Sequence, residues 1–442
     1  MPLRTRGSQY QPGEPGYDAE RRGFQTGFVH RPALLVRAAD AEDVRAAVDY
    51  AARHGSGVAV QATGHGVGVP ADGDVLVSTK DLDAVHVDPV TRTARIGAGA
   101  RWATVLQQAA AHGLAPLSGS FPGVGAVGYT LGGGLGPLGR RYGYAADHVK
   151  ELRLVTPDAR LLRVTPDTEP DLFWALRGAG ANFGVVTSLE IGLVPQTRLY
   201  GGALTFDSAL AADVLNAFRD STALAPEELT TSVAMIPMPD LPSLPPPLRG
   251  RHITQLRVAY LGDRAEGERL VAPFRELGQP IADTLRELPF AESGSVYGEP
   301  DRPHAYFGDN VLLRELGPAA IGSLLEHAGP GSDCVVDVRH LGGALARPAR
   351  PSAVSHRGAA YQVLVLSGVD ISGESPDSRA VQDKVFAALA AATLGRSVNF
   401  AYGPVACARE RFDAVTYQRL RKLKALHDPS NLFRFHSNIE PG

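Results

Sequence analysis

Over the first 200 positions, some segments have apolar residues at helical spacing and others have short apolar runs typical of strands. Between Val44 and Ala51 the apolar side chains recur three and four positions apart, shortly after Asp40. That spacing is typical of a helix with one apolar face, and an aspartate in front of it can cap the first turn. The short β-branched run at residues 57–61 instead predicts a strand. Strands and helices should therefore alternate in this region.

Two later segments alternate strictly and read as hairpins. Residues 84–99 (AVHVDPVTRTARIGAG) alternate on both sides of a DPVT turn, and residues 149–164 (VKELRLVTPDARLLRV) do so around a Pro-Asp turn. Residues 102–112 have helical spacing, and residues 183–194 predict a further strand.

The pattern changes after about residue 201. Longer strand-like runs (HITQLRVAYL, CVVDVRHLGGAL and AAYQVLVLSGV) are separated by helical segments near 208–220, 264–276, 317–328 and 379–393. This arrangement predicts an antiparallel sheet with helices packed on one face. The tail reads as a helix that Asp428-Pro429 ends, followed by a polar and aromatic coil docked on a domain.

Composition excludes several classes of protein. A chain of 442 residues with 44% hydrophobic and 21% charged residues predicts two or three soluble domains. A net charge of −3 gives no reason to expect nucleic acid or an anionic membrane as a partner. No stretch reaches the roughly 18 apolar residues that a membrane span needs, and the N-terminus lacks a secretory core, so we expect a cytoplasmic protein. Cys334 and Cys407 lie outside any Cys/His cluster, and neither a disulfide framework nor a metal site is predicted.

Glycine is concentrated in one segment, with ten glycines in the 25 residues from Gly119 to Gly143. Residues 123–128 (GVGAVG) match the GxGxxG pattern of dinucleotide-binding folds, but LSGSFP precedes them instead of a strand. Asp147 has the spacing of a ribose ligand but does not end a strand. We therefore interpret the segment as a loop whose amide groups bind a large anion, with a purely structural turn as the alternative.

A second glycine-flanked loop, QATGHGVG, follows the strand at residues 57–61 and holds His65 between two glycines. Four segments in the same order resemble the FAD-linked oxidases of the vanillyl-alcohol oxidase/p-cresol methylhydroxylase superfamily, most closely the berberine-bridge-enzyme-like oxidoreductases. They are VAVQATGHG, GSFPGVGAVGYTLGGGLGPLGRRYGYAADHV, DLFWALRGAGANFGVVTSLE and YQRLRKLKALHDPSNLFRFHSNI.

The resemblance implies an α+β fold in which both chain ends build one FAD-binding domain of the p-cresol methylhydroxylase type. An antiparallel-sheet substrate domain covered by helices is inserted between them. We expect the N-terminal part of the FAD-binding domain at residues 1–199, the substrate-binding domain at 200–395 and the returning C-terminal segment at 396–442. A monomer or a homodimer is expected.

The resemblance also implies that a ring nitrogen of His65 is joined to the 8α-methyl group of FAD. The cofactor-binding residues that it implies come from the glycine loops, the strand near residue 185 and the tail. They are Thr63, Gly64, His65, Gly66, Ser120, Val124, Gly125, Gly128, Gly132, Gly133, Gly134, Gly184, Val186 and Asn438.

Three positions depart from the family pattern. Phe121 stands where many relatives have a second, cysteinyl link to the flavin, so a single covalent bond is expected. Gln61 replaces an arginine that is usual in the first loop, which weakens the positive charge there. Phe400 replaces the tyrosine of an Asn-Tyr pair that is a common base in the family, and a phenyl ring cannot take a proton.

Catalytic candidates are therefore sought nearby. Oxidation by a flavin needs a base for the O–H or N–H proton of the substrate. We favour Tyr402, followed by Tyr361 and Asp337, although Asp337 with Arg339 also fits a structural ion pair on a sheet face. Strand alternation predicts that His340 faces away from that pair.

Val124 matches the position that the family uses to admit oxygen, which favours O₂ as the electron acceptor. The leading hypothesis is an FAD-dependent oxidase acting on an alcohol, phenol or amine of a small organic molecule of the specialised-metabolite type. A flavoprotein that catalyses an oxidative or redox-neutral cyclisation or rearrangement is the first alternative. A non-catalytic flavin-binding protein is the second.

Overall fold

A computed structural model describes residues 3–368, 376–403 and 408–442, and the strands of these residues form three sheets. Cys407 lies outside the described residues. The first sheet contains β1 (Gln9–Tyr10), β2 (Leu34–Arg37), β3 (Val58–Gln61) and β4 (Val75–Ser78). Its order is β1-β2-β4-β3, with β2, β4 and β3 parallel and β1 antiparallel to β2. The strand predicted at residues 57–61 is confirmed as β3.

The second sheet contains β5 (Val85–Asp88), β6 (Thr93–Gly97), β7 (Val149–Val155), β8 (Leu161–Val164) and β9 (Val185–Gly192). Its order is β5-β6-β9-β7-β8, and the pairs are antiparallel. Both predicted hairpins are confirmed, as β5–β6 and β7–β8.

Six helices accompany these two sheets in the described residues. They are α1 (Tyr17–Glu20), α2 (Ala41–His54), α3 (Trp102–Ala110), α4 (Ala126–Leu131), α5 (Gly139–Tyr142) and α6 (Pro170–Ala175). The Asp40 carboxylate accepts the Asp43 amide at the start of α2, and Gly55 ends that helix with φ 67°, a conformation that glycine adopts easily. Helix α4 ends at Leu131, where three glycines follow.

The third sheet has nine antiparallel strands in the described residues. They are β10 (Arg198–Asp207), β11 (Leu229–Pro237), β12 (His252–Tyr260), β13 (Ala282–Asp283), β14 (Arg286–Pro289), β15 (Tyr306–Leu313), β16 (Cys334–His340), β17 (Tyr361–Gly368) and β18 (Thr393–Gly395). The order is β13-β10-β12-β11-β16-β17-β15-β18, with β14 also paired to β10.

Four helices cover one face of this sheet, which we call the helix face. They are α7 (Ala211–Thr222), α8 (Arg264–Arg275), α9 (Pro318–Ala328) and α10 (Pro376–Ala388). Alternate residues of the central strands, such as Val233, Val338 and Val363, pack with these helices in one apolar core. The predicted antiparallel sheet with helices on one face is confirmed. We call the opposite face, which carries Asp337 and Arg339, the inner face.

The C-terminal helix α11 (Ala414–His427) packs on the N-terminal half of the chain. Leu420 and Ile439 belong to the same apolar core as the second sheet, and the Val58 amide donates to the Leu432 carbonyl at 2.9 Å. Phe290 also joins that core, so the predicted boundaries at 199 and 395 stay a prediction.

Short 3₁₀ segments occupy Ala145–His148, Ser208–Leu210, Phe290–Val296, Gly343–Ala346, Ala390–Ala392 and Ala408–Arg411. No helix in the described part of the chain is long and apolar enough to cross a membrane.

Candidate functional site

The loop after β3 is held in place by close backbone contacts. The Phe24 amide donates to the Thr63 carbonyl and the Gln25 amide to the Gly64 carbonyl, both at 2.9 Å. Gly64 has φ 68°, and a Cβ there would lie 2.5 Å from the Cα of Gly23. Only glycine fits this approach. At Gly66 a Cβ would meet nothing within 4 Å, so open space adjoins the histidine.

The His65 ring is fixed on one side and free on the other. It stacks on Phe24 with centroids 4.0 Å apart, and Phe121 lies 5.6 Å away. Its Nδ1 is 2.8 Å from the Thr63 hydroxyl, whereas the buried Nε2 has no hydrogen-bond partner in the described residues. Burial lowers the pKa of His65 to about 4, with further lowering by Arg101 and His304. The imidazole is therefore neutral at pH 7 and has one nitrogen free to react.

The glycine-rich segment meets this loop at Gly125. Its amide donates to the Thr63 hydroxyl at 3.2 Å, and a Cβ at Gly125 would lie 3.5 Å from the Ala62 Cβ. Val124, next to it, is half-buried against the core of the N-terminal half, and Ser120 is buried. At Gly128 a Cβ would meet open space. The two predicted motifs thus lie side by side.

The glycines at 132, 133 and 134 need a correction. Their amides were expected to contact the cofactor, but they donate to the Thr130 carbonyl (Gly132 and Gly133) and to the Asn399 side chain (Gly134). A Cβ at Gly134 would lie 2.5 Å from the Tyr129 ring. This run of glycines therefore serves close packing and has no free amide donor for a phosphate.

The other predicted cofactor residues divide into two groups. Val186 is 4% exposed and packs in the core, and a Cβ at Gly184 would lie 2.4 Å from the Val155 carbonyl oxygen, so both serve packing between β7 and β9. Asn438 differs, because its Oδ1 is buried without a partner. The side chain of Asn182 bonds the backbone on both sides of it, which holds Asn438 in position.

Buried polar atoms in or next to the glycine loops and in the tail that have no hydrogen-bond partner among the described residues indicate that these segments hold a ligand. Besides His65 Nε2 they include the hydroxyls of Ser118 and Ser437 and the Oδ1 of Asn438. Such atoms are costly unless a ligand or water satisfies them. Together with the open space at Gly66 and Gly128, they fit a large polar cofactor. The described residues contain no group of three or more His, Cys, Asp or Glu side chains suited to a metal ion.

Asp147 has another use. Its carboxylate forms a two-point ion pair with Arg357 at 2.7 and 3.1 Å and accepts the Tyr144 amide. A buried and paired carboxylate is not available for a ribose, which agrees with our rejection of the dinucleotide-binding interpretation of GVGAVG.

Strand alternation places Asp337 and Arg339 on the inner face and His340 on the helix face. The Asp337 Oδ2 accepts from Arg339 Nε at 2.9 Å, and Arg257 on β12 is 3.5 Å from the same oxygen. The Arg339 guanidinium lies 4.5 Å from the centroid of the Phe400 ring. Asp337 is therefore part of a buried charged cluster.

Tyr402 lies close enough to this cluster for the charges of Arg339 and Asp337 to affect its pKa. Its backbone pairs with Gly308 in both directions, and its ring is 5.1 Å from that of Tyr306. Burial raises the pKa of Tyr402, Glu299 raises it further, and Arg339 opposes the shift. Tyr402 is thus a half-buried phenol that burial keeps neutral.

Tyr361 needs a second correction. Its hydroxyl bonds Thr222 at 2.5 Å on the helix face, and its ring packs against Phe218 of α7. Because side chains of neighbouring strand residues point to opposite faces, it cannot reach the inner face that carries Asp337. We no longer retain Tyr361 as a candidate base.

Three residues of the site were missed in the sequence. Tyr306 donates its hydroxyl to the His65 carbonyl at 2.7 Å, which ties the third sheet to the loop. Tyr129 has a buried hydroxyl without a partner and lies close enough to Arg339 for its pKa to be affected. Arg257 could have been found, because QLRVAY alternates polar and apolar residues in a strand that is otherwise apolar.

Comparisons with known proteins agree with this geometry. Residues 32–165 match the family model for an FAD binding domain, and residues 412–440 match the model for berberine and berberine-like proteins. The chain is 29% identical to (R)-6-hydroxynicotine oxidase of Paenarthrobacter nicotinovorans, covering 100% of this chain and 98% of that protein.

Solved structures show the same fold over almost the whole length. The crystal structure of 6-hydroxy-D-nicotine oxidase from Arthrobacter nicotinovorans aligns with a TM-score of 0.85 at 25% identity, covering 100% of this chain and 99% of that one. A berberine-bridge-enzyme-like protein of Physcomitrella patens aligns with a TM-score of 0.86 at 19% identity, covering 99% and 97%, which shows the fold alone. The chain is therefore an FAD-dependent oxidoreductase with an FAD binding domain and a berberine-like C-terminal segment, and its relatives are FAD-linked oxidases of the vanillyl-alcohol oxidase/p-cresol methylhydroxylase superfamily.

Proposed function

We propose that the protein is an oxidase that removes a hydride from the carbon beside a hydroxyl or amine of a small organic molecule and uses O₂ as the final electron acceptor. The observation that carries this proposal is His65, a neutral imidazole whose Nε2 is buried and has no hydrogen-bond partner among the described residues. A histidine of this kind has little structural purpose, because a buried nitrogen without a partner costs free energy.

The residues that would hold FAD are those around His65. Thr63 contacts Nδ1 and can act as donor or acceptor, so it fixes the ring and leaves Nε2 as the nitrogen for the covalent bond. Phe121 offers no second link, and a single histidyl bond is expected. When bound, the flavin supplies the hydride acceptor.

Tyr402 is the candidate group for the substrate proton. It lies close enough to Asp337 and Arg339 for their charges to affect its pKa. Burial and the charges of Glu299 and Asp337 keep the phenol protonated before the substrate binds, whereas the positive charge of Arg339 favours the phenolate that can accept the substrate proton. Val124, beside the His65 loop, is the candidate for the residue that controls access of oxygen.

The experiment is denaturation of the purified protein followed by mass measurement of the polypeptide. We expect the yellow colour to stay with the chain and the mass to include one FAD on a peptide that contains His65. His65→Ala should remove the covalent flavin. His304→Ala is the matched control, because this imidazole lies 5.5 Å from the same Phe24 ring and should leave the bond intact. An unmodified wild-type chain, or covalent flavin in His65→Ala, would contradict the assignment.

A further inference from the structure

Four neighbouring strands carry a row of polar side chains across the inner face. Arg257 of β12, Ser232 of β11, Arg339 of β16 and Gln362 of β17 are successive partners in the strand register. All four are buried, with exposed fractions of 7%, 3%, 8% and 0%. Adjacent strands are about 4.8 Å apart, so the two arginines flank Ser232 within reach of one small ligand.

The charges of this row do not balance. Asp337 is 3% exposed and is the carboxylate that pairs with both Arg257 and Arg339, through the same Oδ2. Glu299 is the other nearby acid, but it is exposed and forms no ion pair with either arginine in the described residues. Two buried guanidinium groups thus share one buried carboxylate. An uncompensated buried charge is costly, and an anion would compensate it.

Hydrogen-bond donors remain free at the same place. In the part of the chain that the structure describes, Arg339 Nη1 and Arg257 Nη2 have no acceptor, and the Ser232 hydroxyl is buried without a partner. A purely structural cluster would use these groups. Tyr297 and Phe400 lie beside Arg339, with ring centroids 5.9 and 4.5 Å from its guanidinium carbon, and provide apolar surface next to the charge.

We propose that Arg257, Ser232 and Arg339 bind a carboxylate of the substrate, so that the substrate is a small organic acid that carries the oxidisable alcohol or amine. The proposal rests on the proposed function of the same site. A planar guanidinium group matches a carboxylate with two parallel N–H donors, and a serine hydroxyl can supply a third. With the acid end held by the two arginines, the alcohol or amine end is the part of the molecule that must reach Tyr402, the candidate base.

The test uses two probes of the same shape, benzoate and benzamide, with the purified flavin-bound protein. Binding is followed by the visible flavin spectrum and by the shift in melting temperature. Because hydrogen bonds to charged groups contribute about 1.5–3 kcal/mol, benzoate should bind about 10- to 100-fold more tightly. Equal affinity of the wild-type protein for the two probes would overturn the proposal without any variant.

Substitutions then locate the anion. Arg339→Met and Arg257→Met should each reduce the preference for benzoate about tenfold, the effect of about 1.4 kcal/mol. Arg275→Met is the matched control, since Arg275 pairs with Glu268 and Asp283 away from the inner face. An undiminished preference in both inner-face variants would place the anion elsewhere and overturn the proposal.

Failure of the carboxylate site can be distinguished from failure of the oxidase proposal. If the purified chain carries no flavin, the oxidase proposal fails, and the difference between the melting shifts with benzoate and benzamide still decides the carboxylate site. If flavin is present and turnover occurs, acids should have a lower KM than their amides. Arg339→Met should raise KM for the acids more than it lowers kcat.

Discussion

Two of the buried clusters of opposite charges in the described residues differ in how completely their polar groups are satisfied. Lys424 and Asp428 of the C-terminal region are both fully buried. The ammonium group donates to Asp428 at 2.6 Å and to the carbonyls of Asn182 and Phe433 at 2.7 and 2.8 Å. The carboxylate also accepts the amides of Leu432 and Phe433. A lysine has three donors, and all three are used.

The inner-face cluster is open by comparison. Arg257 and Arg339 share the Oδ2 of Asp337, and among the residues that the structure describes the Oδ1 of Asp337 has no donor and the Ser232 hydroxyl has no partner. Burial is similar in the two clusters, so burial alone does not separate a structural ion pair from a binding site. The number of unsatisfied polar groups does separate them. Such groups are costly when buried, and a bound ligand would satisfy them.

The largest expected effect is on the free energy of unfolding and concerns the fully satisfied cluster of Lys424 and Asp428. Lys424→Met leaves the Asp428 carboxylate buried and without its cation, which should lower the free energy of unfolding by about 3–5 kcal/mol. Arg339→Met should cost less, about 1–2 kcal/mol, since Arg257 still faces Asp337. Urea unfolding measures both. Lys422→Met, at an exposed position of the same helix, is the control. Equal losses in Lys424→Met and Arg339→Met would remove the distinction between the clusters.

The second prediction compares the two faces of the third sheet. Tyr402→Phe should lower kcat/KM about 100-fold, because a general base contributes at least that factor. Its pKa is raised by burial, so the phenolate fraction and kcat/KM should both increase with pH above neutrality, and Tyr402→Phe should lose this increase. Tyr361→Phe removes the corresponding hydroxyl on the helix face and should leave kcat/KM nearly unchanged. A pH profile retained in Tyr402→Phe, or a large loss in Tyr361→Phe, would assign the proton to another group.

These comparisons also show what the sequence could predict. A period of two was sufficient for both hairpins and for placing Asp337 and His340 on opposite faces, because side-chain direction follows from alternation alone. A period of 3.6 with Asp40 before it was sufficient for α2 and its cap. Local patterns therefore predicted elements and faces well.

Properties that depend on strand order or close packing could not be predicted in this way. Arg257 and Arg339 are 82 positions apart and meet only because β11 lies between β12 and β16. Gly134 lacks a side chain because the ring of Tyr129 occupies that space, whereas an anion-binding loop would need glycine for a different reason. Close packing and anion binding both require glycine, so the sequence alone does not distinguish them. Tyr361 was a plausible base until its strand partner and Thr222 were known.

The smallest expected effect concerns Val124, which lies at the boundary between a closed core and the open site. It packs against the core of the N-terminal half, yet it is half-buried and precedes Gly125 at the His65 loop. Val124→Leu adds one methylene. If the side chain of Val124 borders the space at the His65 loop, the added methylene should slow the reaction of the reduced protein with O₂ about tenfold. This factor is equivalent to about 1.4 kcal/mol. Flavin content and melting temperature should stay near those of the wild type.

Stopped-flow mixing of photoreduced protein with air-saturated buffer measures this rate, with Val124→Ala as the matched variant that removes volume instead. The leucine variant should be slower than the wild type and the alanine variant at least as fast, because access to the reduced cofactor should decrease as side-chain volume increases. Equal rates in all three would show that oxygen arrives by another route. A melting temperature that falls in both variants while the rates stay equal would assign Val124 to the closed core, where any change of volume is destabilising.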